Sequence, residues 1–164
     1  MLKLTKRSDY GLIALRHLAL AVDEVSASAS AKEISTTYRI PLPLLAKVLQ
    51  MLAKNGFLAS VQGTHGGYRL ARSADRITTL EVIRAIDGPV LLTSCFTHDG
   101  GECEQFDTCT VKSPLRKIHD GILELLEATT IADLARDKGG FAPVSLIAIH
   151  PAGEMTTSMR KLTQ

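Results

Sequence analysis

The sequence predicts a mainly α-helical protein with a single small β-hairpin, and three observations carry that prediction. Apolar residues recur at helical spacing through most of the chain. Only two short runs, on either side of a glycine-rich tip, read as paired strands. Aromatic residues make up 4% of the sequence and Trp is absent, so Leu, Ile, Val and Ala must fill the interior, which favours helices over a sandwich. At 164 residues the chain suits one domain with an accessory element, long enough to bury roughly two thirds of its unfolded surface.

Taken in order, Thr5 or Ser8 can cap a first helix running to about Val22, apolar on most sides and so expected to be buried. After the loop "DEVSASAS", Ser30 and Glu33 have capping-box spacing and open a short helix ending near Tyr38. "RIPLPLLAKVLQMLAKNG" is the clearest helix. Pro41 and Pro43 fit only its start, Leu45, Val48, Leu49 and Leu52 form a core stripe, and Gly56 ends it. Lys47, Gln50, Met51 and Lys54 fall on the opposite face. The runs Leu58–Val61 and Tyr68–Ala71 flank "QGTHGG" as a hairpin. Thr78 and Glu81 box another helix that Gly88 and Pro89 stop. The cysteine-bearing segment has no periodicity and reads as a loop. Ser113 and Pro114 are placed to open a further helix, in which Leu115, Ile118, Ile122 and Leu125 step in the heptad rhythm of a helix–helix seam that Leu126 broadens. "TIADLA" reads as a second small capped turn. The remaining tail holds an apolar run, Val144 to Ile149, without an assigned role.

The net charge of +2 hides an asymmetry: residues 1–90 carry twelve Lys and Arg against seven Asp and Glu, whereas residues 91–164 carry seven against ten. A basic front half suits a polyanion. The charged N-terminal residues and the interruption of the first apolar stretch by Arg16 and His17 predict no secretory leader, no membrane span and a cytoplasmic location. No nucleophile–base pair, phosphate loop or nucleotide fingerprint is evident, so an enzyme is not expected.

Helix, short helix, helix and hairpin is the order of a winged helix–turn–helix. In such a unit the third helix buries one face and offers the other to the major groove of double-stranded DNA. Lys47 and Gln50 are the candidates for base edges, and Gln62, Thr64, His65, Gly66, Gly67, Arg69 and Arg72 for wing contacts to phosphate. The start of that helix offers Leu44, Ala46 and Lys47 rather than Arg, Asn or Glu, so part of any specificity must come from DNA shape and from the wing.

All three cysteines, Cys95, Cys103 and Cys109, lie in "CFTHDGGECEQFDTC" with spacing C-x7-C-x5-C. An odd number of thiols in a reducing compartment points to metal or redox chemistry rather than to paired bridges. Three chemistries fit. The thiolates can hold an iron–sulfur cluster, since Gly100 and Gly101 let the loop wrap a compact core. Cys95, His98, Cys103 and Cys109 can form a tetrahedral zinc site. Two of the thiols can form a reversible disulfide. Asp99, Glu102, Glu104 and Asp107 add negative charge to the segment, and His119 is a further, weaker ligand candidate.

"LTKRSDYGLIALRHLA", "LLAKVLQMLAKNGFLASVQGTHGGYRLAR" and "ITTLEVIRAIDGP", followed by three cysteines, resemble the Rrf-two family of bacterial transcription regulators from residue 2 to about residue 135. That family includes IscR-like, NsrR-like, RirA-like and Suf-type members. The resemblance implies a homodimer on a pseudo-palindromic operator, with a long C-terminal dimerisation helix. It also implies a 2Fe–2S or 4Fe–4S cluster that senses iron, redox state or nitric oxide. The long first cysteine gap is closer to the RirA-like and Suf-type pattern. The IscR-like histidine three residues after the last cysteine is Lys112 here. In some NsrR-like members an Asp of the opposite subunit's first helix completes the cluster, and Asp9 matches its place. The chain departs from the family where Gln62 and Gly63 replace an Arg-Gly pair, and where Ala46 replaces the base-discriminating Glu of IscR-like members. The expected organisation is a winged helix–turn–helix DNA-binding domain at 1–90, a cysteine loop at 91–112, a dimerisation helix at 113–138 and a tail at 139–164. A structural zinc or thiol switch on the same fold, or a cluster-free regulator acting through a partner protein, remains the alternative.

Overall fold

A computed structural model describes residues 4–21, 28–63, 66–96 and 103–136. Among the described residues, six α-helices and one two-stranded antiparallel sheet follow in the order α1 (Lys6–Leu20), α2 (Ala31–Tyr38), α3 (Leu42–Lys54), β1 (Leu58–Val61), β2 (Gly67–Leu70), α4 (Thr79–Asp87), α5 (Lys112–Ala128) and α6 (Ile131–Arg136). The tail after Arg136, with the run Val144 to Ile149, lies outside the described residues.

Local chemistry accounts for the helix boundaries. Thr5 accepts from the amides of Arg7 and Ser8 at the start of α1. Ser30 with Glu33, and Thr78 with Glu81, form complete capping boxes at α2 and α4. Pro41 is the N-cap of α3 and Pro43 lies in its first turn, where a missing amide costs nothing. One start differs from expectation. The helix α5 begins at Lys112 with Val111 before it and no side-chain cap, so Ser113 is already helical and Pro114 still falls among the first-turn amides that have no partner inside the helix.

The buried stripe of α3 (Leu45, Val48, Leu49 and Leu52) meets Ala14, Leu15 and Leu18 of α1, Ile34 of α2 and Ile86 of α4 in one core. Each buried Leu, Ile or Val side chain contributes about 1.5–3 kcal/mol. Where α1 passes α4 at Gly11, a β-carbon would lie 2.5 Å from Ile86 Cδ1, so the end of that side chain would have to turn aside. The hairpin pairs Leu58 with Leu70 through Val61 with Gly67. A bridge from Ala29 to Tyr68 straps it to the segment before α2, and a β-carbon on Gly67 would collide with the Ala29 carbonyl.

The segment expected as the dimerisation region over 113–138 comprises two helices, the second at the "TIADLA" stretch read as a small capped turn. The helix α5 ends at Ala128, and α6 turns back onto α1. Ile131 is fully buried in the same core as α1–α4, its amide donates to the Ile77 carbonyl at 2.9 Å, and Arg16 Nε donates to the Leu134 carbonyl at 2.8 Å. The reading head therefore does not close at residue 90, because an apolar residue forty positions later completes its interior.

Candidate nucleic-acid interface and cysteine segment

Burying one face of α3 leaves Lys47, Gln50 and Lys54 exposed on the other, with Met51 half-buried at its edge. Gln62 is exposed at the end of β1, and Arg69 is exposed within β2. Thr64 and His65, at the wing tip, lie outside the described residues. Gly66 closes the turn by donating its amide to the Gly63 carbonyl at 2.9 Å, and Gly67 is pressed against Ala29, so both glycines serve the shape of the wing. The guanidinium of Arg72 points inward. It lies 3.3 Å from Glu81 Oε1, donates to the Arg76 carbonyl at 3.3 Å and covers the Phe57 ring at 4.9 Å. It fixes the base of the wing to α4.

The cysteine segment leaves α4 through Gly88 and returns to α5, with one 3₁₀ turn at Ser94–Phe96. Cys95, Cys103 and Cys109 are half-buried, and none is in a disulfide. Thr93 Oγ1 is 2.9 Å from Cys95 Sγ. Aromatic contacts hold the segment on the first half of α5. The Phe96 ring lies 5.0 Å from that of His119, which is buried, and beneath the Arg116 guanidinium at 4.6 Å. The Phe106 ring lies beneath Lys112 Nζ at 3.2 Å from its centre. Neither aromatic entered the sequence reading, although a Phe directly after the first cysteine and another midway between the last two were visible there.

The donor chemistry of this segment, three partly accessible thiols with Glu104 and Asp107 exposed beside them, fits a thiolate-ligated cluster better than a hard-cation site. Among the described residues no group of three or more His, Cys, Asp and Glu side chains stands close enough together to hold a metal ion. His98 lies outside the described residues. Asp9, on the first turn of α1, pairs with Lys6 at 3.6 Å and stays part-exposed.

Next to Asp9 the structure builds a contact that the sequence did not suggest. The hydroxyls of Thr5 and Ser8 each donate to the Asp87 carboxylate at 2.7 Å, and the Thr5 amide donates to it at 3.3 Å. Burial pushes the Asp87 carboxyl up, but the hydrogen bonds from Ser8 and Thr5 outweigh it and leave the group below the ordinary carboxylate value.

On α5, Leu123 and Leu126 pack against Leu80, Ile83 and Val90. Leu126 thus turns toward α4, while Val111, Ile118 and Leu125 are 55%, 55% and 50% exposed. Leu115 and Ile122 are partly buried on the flanks of this apolar stripe.

The order helix, short helix, helix and hairpin wing, followed by a cysteine segment against a helix whose apolar stripe is exposed among the described residues, defines a winged helix–turn–helix transcription regulator. Comparison with known proteins places the chain further. Residues 4–137 match the sequence model of the Rrf2 family (the Rrf-two family above), described as an iron-dependent transcriptional regulator, and the chain belongs to that family. It is 33% identical over 134 residues to the HTH-type transcriptional regulator NsrR of Halalkalibacterium halodurans, covering 81% of this chain and 90% of that one. It is 33% identical over 137 residues to the regulator IscR of Pectobacterium carotovorum, covering 84% and 81%. Among solved structures it is similar to CymR, the global cysteine regulator of B. subtilis, at 30% identity and a TM-score of 0.70, covering 82% of this chain and 97% of that one. The chain is a DNA-binding transcriptional regulator, and its named relatives are regulators rather than enzymes.

Proposed function

We propose that the chain acts in the cytoplasm as a homodimer on a pseudo-palindromic operator, and that a cluster held by Cys95, Cys103 and Cys109 sets its operator affinity. The observation that carries this reading is the contact of the three-cysteine segment, through Phe96 and Phe106, with the helix along which Val111, Ile118 and Leu125 form an exposed apolar stripe. Lys47 and Gln50 enter the major groove, while Gln62, Arg69 and the wing tip with Thr64 and His65 follow the phosphates. An iron–sulfur cluster would supply a group sensitive to iron supply, oxidants or nitric oxide. Asp9 of the partner subunit is the candidate fourth ligand, since that position on α1 is part-exposed and, among the described residues, its carboxylate is engaged only by the exposed Lys6. Phe96 and Phe106 tie the segment to α5, so a rearranged segment shifts α5 and, across the stripe, the separation of the two reading heads. Two-fold heads must match half-sites about 34 Å apart, so a small change of spacing is read as a change of affinity.

A thiol switch is the second reading. The hydrogen-bonding contact of Thr93 with Cys95, and the similarity to a cysteine regulator, favour it. An absorption spectrum with iron, sulfide and zinc analysis of protein purified without oxygen separates the readings. The expected result is coloured protein with iron and acid-labile sulfide, and no chromophore in Cys103→Ala. One zinc per chain in colourless protein makes the segment a structural clamp. Absence of any metal leaves the thiol switch, or a regulator acting through a protein partner.

A further inference from the structure

We infer that Arg39, in the turn between α2 and α3, is a phosphate contact of the DNA interface, an inference that rests on the interface assigned above. Arg39 is the one non-glycine residue with positive φ among the described residues, at φ 53° and ψ 40°. The turn imposes this conformation. The amides of Arg39 and Ile40 both donate to the Ser35 carbonyl. The Ser35 hydroxyl donates to the Ile40 carbonyl at 2.6 Å, and the Ile40 side chain is buried in the core. The chain leaves α2 and re-enters the interior within one residue. In the left-handed region a β-carbon crowds the neighbouring carbonyl, which is why glycine usually takes this place at a helix end.

Nothing among the described residues explains an arginine there. Its side chain is exposed and makes no hydrogen bond or ion pair to any described residue. Glu33, the acid of α2, faces His17 at 4.0 Å, and the first turn of α3 carries no acid. A residue that strains the backbone without an internal contact is accounted for by an external one. Arg39 stands three residues before the helix whose exposed face carries Lys47 and Gln50, at the edge of the surface that meets the groove. There its planar fork of donors suits a phosphate of the duplex backbone.

The test titrates the full chain against a mixed-sequence DNA duplex about three helical turns long, by fluorescence anisotropy between roughly 50 and 200 mM salt. Arg39→Gly is expected to weaken binding about three- to tenfold at the low-salt end and to reduce the log–log salt slope by about 1. The same variant is expected to raise Tm by ~2–4 °C, because it relieves the strain. Arg39→Lys, which keeps the charge, should retain most of the affinity. Unchanged affinity and slope in Arg39→Gly would overturn the inference. So would a lower Tm, since that assigns the side chain to the fold. A wild-type chain that ignores the duplex at every salt concentration removes the interface reading and this contact with it.

Discussion

The reading head and the cysteine segment sit side by side in one chain and are held by different forces. The head closes over aliphatic side chains from α1 to α4, the hairpin and α6, most of them fully buried. Between residues 91 and 112 none of the described residues with an assigned burial is buried, and the segment is held by Phe96 against His119 and Arg116 and by Phe106 under Lys112. Exposed cation–π contacts of this kind contribute about 0.5–1 kcal/mol each. Moving the described part of the segment therefore breaks a few weak contacts, whereas moving the helices of the head disrupts its buried core. The proposed function uses that contrast: a sensing segment would change state while the reading head keeps its shape.

The contrast is broken most directly by substitutions that should affect one region and spare the other. Leu49→Ala, in the centre of the head, is expected to cost about 2–5 kcal/mol in denaturant unfolding. Cys109→Ala, in the segment, should stay within about 1 kcal/mol of wild type. Equal losses would show that the segment is part of the structural core and not a separable element. A second substitution sharpens the boundary on α5. Ile118→Asp places a charge in the exposed stripe and should convert the proposed dimer to a monomer in sedimentation velocity, while circular dichroism and Tm report an intact head. Duplex affinity should fall more than about tenfold, since two linked heads lose their shared binding. An Ile118→Asp protein that stays dimeric places the subunit contact elsewhere.

Much of the head was legible in the sequence because its signals are local. Capping boxes at Ser30 and Thr78, two prolines at the start of α3 and a stripe at i, i+3, i+4 and i+7 each depend on neighbours within a few residues. The misses share a different origin. Ile131 reaches the core across more than forty residues, and Asp87 meets Thr5 and Ser8 across about eighty, so no window of sequence contains both partners. Leu126, read as broadening the seam, packs against Leu80 and Ile83 of α4, because periodicity fixes which residues share a face but not which neighbour that face meets. The cysteines were legible as a set, while their arrangement in space depends on what binds them. Arg72 read as a wing contact by its charge alone. Its placement over Phe57 and against Glu81 arises from the tertiary fold.

The smallest expected effect lies at the junction of the two regions. Asp87 is the last residue of α4, where the chain leaves the head for the cysteine segment, and its carboxylate receives Thr5 and Ser8 from the start of α1, beside Asp9. Its pKa is depressed below the unfolded value of 3.8, so the folded state favours the charged form. The stability it adds is complete above the unfolded value and is lost as pH falls through the lower folded one. The group is partly open to solvent, which screens the interaction, and Asp87→Asn should cost about 1 kcal/mol or less at neutral pH. Thermal unfolding from pH 7 down to about pH 3 should show the difference between wild type and variant narrowing as the carboxylate protonates. A constant difference across that range would assign the effect to geometry alone. A larger loss in Asp87→Asn than in Cys109→Ala would then mean that the junction, and not the cysteine segment, marks where the rigid head ends.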